Sequence, residues 1–153
     1  MRDQSTKKKQ DGPRSAIACA TRGGEASRAT EDRAIALARE QDADIIFLYV
    51  IDASFAHGLS GKFSIDVVED DLRDIGTIIL EQAVQRAQDA GVAARSVIRE
   101  GNVADEIQRF VENHGNVTVL VIGHMSEDLR THLEPVLHDL QQRQLEVLVV
   151  SNP

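Results

Sequence analysis

Val117-Thr-Val-Leu-Val-Ile-Gly123 is the stretch on which the reading of this chain turns. It is a short apolar run rich in β-branched side chains, which suits a strand covered on both faces. A glycine ends it, and His124-Met125-Ser126-Glu127-Asp128 follows before helical periodicity resumes. Open parallel sheets bind ligands beyond the carboxyl ends of their strands. The loop that starts at Gly123 is therefore the first place to look for a site.

Working outward, two further apolar runs precede it, Ala16–Ala20 and Ile45–Ile51, and Leu145–Val150 follows near the carboxyl end. Ala94–Arg99 alternates in character, as a half-exposed edge strand does. Helical spacing fills the gaps between them. Thr30, Ala34, Leu37 and Ala38 mark a helix over Glu25–Gln41, small enough on one side to approach a sheet closely. Residues Asp52–Asp66 read as a loop, and Leu72, Ile75, Ile79, Ala83 and Ala87 mark a helix over Val67–Ala90, ended by Gly91. Gly76 interrupts that helix at a cost of about 1 kcal/mol relative to alanine. Asn102 suits the cap of a third helix, which carries Val103, Ile107, Phe110 and Val111 inward and stops near Gly115. In the last helical segment Pro135 is expected to separate a short turn from a helix that begins at the proline. Strands alternating with helices imply a parallel sheet, and the right-handed crossover rule gives an α/β three-layer sandwich: five strands with helices on both faces.

Composition bounds the function. The 153 residues fit one domain, placed at 14–153, after a polar leader over 1–13 that contains Lys7, Lys8 and Lys9. No apolar run approaches the roughly 20 residues that cross a bilayer, so no membrane insertion is expected. A net charge of −8 disfavours nucleic acid as a partner, and 3% aromatic residues leave no base-stacking platform. The single cysteine, Cys19, fits a small core residue in a reducing cytoplasm. Histidines at 57, 114, 124, 132 and 138 do not share the spacing of a metal-binding helix, and only His124 sits at a strand end facing the proposed crevice. No nucleophile elbow, paired-cysteine motif or Gly-Lys-Ser/Thr loop is present, so neither a metal centre nor catalysis is expected.

Ala18–Ser27, Leu48–Asp52, Arg99–Ile107, Val119–Gly123 and Val147–Val150, in this order and spacing, resemble the universal stress protein family. The resemblance covers nearly all of the chain after the leader. It implies strand order 3-2-1-4-5, a ligand crevice between the first and fourth strands, and a homodimer through the last strand, Leu145 to Val150. In nucleotide-binding members the first loop carries an aspartate. The fourth strand leads into a phosphate loop of glycine, two residues, glycine, nine residues, glycine, then serine or threonine. Here Arg22 replaces the aspartate, Gly123 matches the first glycine, Ser126 stands at the second, and Val136 and Leu137 close the pattern.

Those replacements oppose a phosphate cradle, which needs small residues and free backbone N–H groups. Glu127 and Asp128 add negative charge where phosphates would lie. The crevice positions that remain are Ala20, Thr21, Arg22, Val50, Gly123, His124 and Ser126, with Val50 and the Ala20–Thr21 backbone forming an adenine-sized apolar shelf. The expected function is a non-catalytic regulatory or stress-response protein with a degenerate nucleotide loop, no tightly held ATP and no obligate cofactor. The alternatives are a sensor that keeps ATP or AMP through backbone contacts, and a regulatory domain of a membrane transporter.

Overall fold

The computed structural model describes residues 14–52, 65–125 and 127–150. The leader, Ser126 and most of the loop expected over Asp52–Asp66 lie outside them. Five strands form one parallel sheet: β1 (Ala16–Ala20), β2 (Asp44–Ile51), β3 (Ala94–Glu100), β4 (Val117–Gly123) and β5 (Glu146–Val150). Their order is β3-β2-β1-β4-β5, the one implied by the resemblance. Between them run α1 (Gly24–Gln41), α2 (Ile65–Asp89), α3 (Val103–Asn113) and α4 (Glu127–Gln142). Cys19 at the middle of the sheet stands opposite Phe47 on β2 and Val121 on β4.

Side chains alternate across the sheet, so one strand feeds two cores. Ile17, Cys19, Ile45, Phe47 and Val121 pack under α1 and α2 with Ala34, Ala38, Leu80, Ala83 and Ala87. Ala18, Ile46, Leu48, Leu120 and Ile122 face α3 and α4 with Ile107, Phe110, Leu133 and Leu140. Alanines dominate the α1–α2 side, which is what lets those helices lie close to the strands. β1, β2 and β4 are almost wholly buried, whereas β3 keeps exposed positions, as its edge place requires.

The turns follow from local chemistry. Asp42 ends α1 in the left-handed conformation, and its N–H is received by the carbonyl of Arg39. Gly91 (φ 83°) does the same after α2. Asn102 caps α3, its side-chain oxygen accepting from the Asp105 N–H at 3.1 Å.

Two expectations are corrected. The second helix starts at Ile65, inside the segment read as loop, and Gly76 does more than weaken it. A Cβ at Gly76 would come 2.5 Å from the ring of Tyr49, so the missing side chain is what lets α2 lie against β2. Pro135 does not begin a helix either; α4 runs unbroken through it. Pro135 is exposed, so water reaches the carbonyl it leaves unpaired, while Leu133 and Leu140 on either side are almost fully buried. Apolar burial outweighs the proline penalty of about 3 kcal/mol.

Candidate functional site

At the carboxyl end of the sheet the β1–α1 turn, the ends of β2 and β4, and the amino ends of α3 and α4 enclose an open crevice of about 1200 Å³. That is room for a nucleotide, so size does not decide the ligand and the lining must. Ala20, Thr21, Arg22, Val50, Gly123 and His124 all line it. Ser126 lies outside the described residues.

The β1–α1 turn is held from inside. The Thr21 N–H donates to the carbonyl of Leu48 at 2.9 Å, and the Thr21 hydroxyl donates to Glu31 Oε2. The Arg22 N–H donates to Ser27 Oγ at 3.1 Å, and the Gly23 N–H to Thr21 Oγ1 at 3.2 Å. Gly23 takes φ 82°, and a Cβ there would also strike Ile79 of α2. Glu31 is buried and its other oxygen meets Arg86 Nη2 at 3.0 Å; the same nitrogen reaches Asp32 at 2.9 Å. Burial works against the Arg86 charge, yet hydrogen bonds to Asp32 and Glu31 more than offset it and raise its pKa. Cys19, deep in the sheet, is pushed far up by burial and by the charge of Glu31, so it carries no reactive thiolate.

Arg22 projects from this turn with an exposed side chain. Burial raises the pKa of the nearby Tyr49 phenol, and the positive charge of Arg22 partly opposes the rise. His124 is exposed at the crevice mouth. Gly123 has a packing reason for lacking a side chain: a Cβ would lie 2.5 Å from Thr30 Oγ1 of α1. Beyond it only His124, Met125 and residue 126 separate β4 from α4, which begins at Glu127.

Several lining residues were missed by reading the sequence, among them Asp52, Asn102, Met125 and His132. His132 had a usable signal: it sits one and three positions from Leu133 and Leu129, on the edge of the stripe that α4 turns inward. Asp52 follows the last residue of β2, at the strand end where such crevices form. His114 is elsewhere, stacked on Phe110 with ring centres 4.2 Å apart. Among the described residues no group of three or more His, Cys, Asp or Glu is placed to hold a metal ion, and no helix is long and apolar enough to cross a membrane.

Comparison with known proteins gives one consistent result. The family model described as the universal stress protein family matches residues 14–139. The chain is 29% identical over 143 residues to the universal stress protein MJ0531 of Methanocaldococcus jannaschii, covering 90% of this chain and 82% of that one. It is similar in fold to a universal stress family protein from Burkholderia pseudomallei, with a TM-score of 0.70 and 22% identity over 89% of this chain and 95% of that one. A universal stress protein solved in complex with cAMP superposes with a TM-score of 0.63 and 22% identity, covering 91% and 98% of the two chains.

Proposed function

The chain belongs to the universal stress protein family, and on that premise we propose that it is a non-catalytic stress-response or regulatory protein. Its crevice takes a nucleoside or a nucleoside monophosphate and does not hold ATP tightly. The observation that carries this reading is the start of α4 at Glu127. Where nucleotide-binding members extend a phosphate loop, this chain has a helix. Val136 and Leu137, which stand at the loop's closing glycine and hydroxyl, are in that helix and pack against the core.

Charge favours the same ligand class. ATP carries about two more negative charges than AMP, and Glu127 opens the helix whose Leu129, His132 and Leu133 line the crevice. A charge costs about 1 kcal/mol at about 4 Å from a solvated carboxylate and less farther away, so the two together amount to at most roughly 30-fold in affinity. Arg22 and His124 supply cationic or hydrogen-bonding groups enough for one phosphate. The relative solved with cAMP holds a ligand of that size and charge class. A buried, unpartnered Cys19 suits a reducing compartment, and we assign the protein to the cytoplasm.

Titration calorimetry with adenosine, AMP and ATP tests the proposal. AMP should bind at least tenfold more tightly than ATP, and ATP should remain in the millimolar range. Micromolar ATP binding would mean that the shortened loop still functions and that the protein is an ATP sensor.

A further inference from the structure

We propose that Glu31 is a positioning residue for the crevice: held by Arg86, it fixes the Thr21–Gly23 turn so that Arg22 is what the turn offers a ligand. All three N–H groups of the turn are used within the protein. Thr21 N–H goes to Leu48, Arg22 N–H to Ser27 and Gly23 N–H to Thr21 Oγ1. A turn with its amides so engaged is not an anion nest, which needs free backbone donors.

The direction of each bond follows from the carboxylate. Glu31 can only accept, and Thr21 has a single hydroxyl hydrogen, so that hydrogen points at Glu31 Oε2. The remaining lone pairs of Thr21 then face the Gly23 N–H. Arg86, reaching Glu31 from α2, holds the carboxylate in place; its second partner, Asp32, keeps Arg86 itself in place. The side chain of Glu31 is only 5% exposed, a costly position for a charge whose job is packing alone. A relay from α2 through α1 to the turn thus sets the backbone from which Arg22 leaves. An arginine carried on a backbone fixed this way offers its guanidinium to a single phosphate and has little to offer an uncharged nucleoside.

The relay itself stands on the geometry above; its effect on ligand choice rests on the function proposed here. Two measurements on the full chain separate them, with Thr21→Val, Thr21→Ser and Glu31→Gln as variants. Amide hydrogen exchange at Gly23 reads the relay without ligand. Thr21→Val and Glu31→Gln should speed it about tenfold, and Thr21→Ser should leave it near the parent rate. Unchanged exchange in both Thr21→Val and Glu31→Gln would overturn the relay. Calorimetry reads the ligand arm. Thr21→Val should weaken AMP roughly tenfold and adenosine less than twofold, with Thr21→Ser restoring AMP. Equal losses for AMP and adenosine, or no loss for either, would overturn the positioning role. Accelerated exchange in Thr21→Val and Glu31→Gln, with a parent protein that binds no AMP, would refute the proposed function and leave the relay standing.

Discussion

Gly123 shows why a glycine at a strand end has two readings. It matches the first position of a phosphate loop, yet its nearest demand comes from Thr30 of α1, 2.5 Å from where its Cβ would be. Thr30 is buried, so the packed side chains around it leave its hydroxyl little room to swing aside. Gly123→Ala should therefore destabilise the fold by about 1–3 kcal/mol, the usual range for overpacking. Thr30→Ala in the same chain should recover most of that loss, because the clash is between these two side chains alone. Chemical denaturation of the two single variants and the double variant measures the coupling directly. Strict additivity would show that the glycine serves something other than α1. Gly76 follows the same logic against Tyr49, and in neither case could the sequence name the partner, which lies on another element.

At the scale of elements, α4 decides both the fold's least regular feature and the site's. Its interior proline, exposed on the outer face, deprives the Thr131 carbonyl of an amide partner, and the Thr131 hydroxyl bonds back to the Glu127 carbonyl at 3.0 Å. Pro135→Ala should stabilise the protein by about 1–3 kcal/mol, less than the full helix-interior penalty because proline also restricts the unfolded chain. Thermal unfolding checks this; a lower midpoint would mean that Leu133 and Leu140 need the proline to reach the core together. Four strands were legible as nearly continuous apolar runs, and β3 by the alternation of a half-exposed edge. Asn102 and Gly91 were legible as helix ends because capping is local chemistry. Pro135 was not, since the burial that overrides it comes from the sheet. Six of the seven expected crevice residues line the same space because strand ends are local too. The Thr21–Glu31–Arg86 relay was invisible: it joins residues from three elements, and nothing in their sequence spacing brings them together.

For the whole molecule, the exposed edge of β5 bears on assembly. The strand pairs with β4 on one side and ends the sheet, with Val149 47% exposed beside the partly buried Val147 and Leu148. An apolar edge of this kind invites a second copy, and a two-fold axis would let β5 pair with itself. We therefore propose a homodimer through Leu145 to Val150. Two copies each carrying a net charge of −8 repel at long range, so added salt should tighten the dimer by screening that repulsion while leaving the apolar contact intact. Val149→Lys places a charge on the edge without removing a backbone donor and should yield a folded monomer. Val149→Pro also removes a donor and should weaken association as well. Sedimentation velocity at micromolar concentration, at low and moderate salt, decides the matter. A parent protein that stays monomeric at both would rule this dimer out, and a dimer that Val149→Lys leaves intact would place the interface elsewhere.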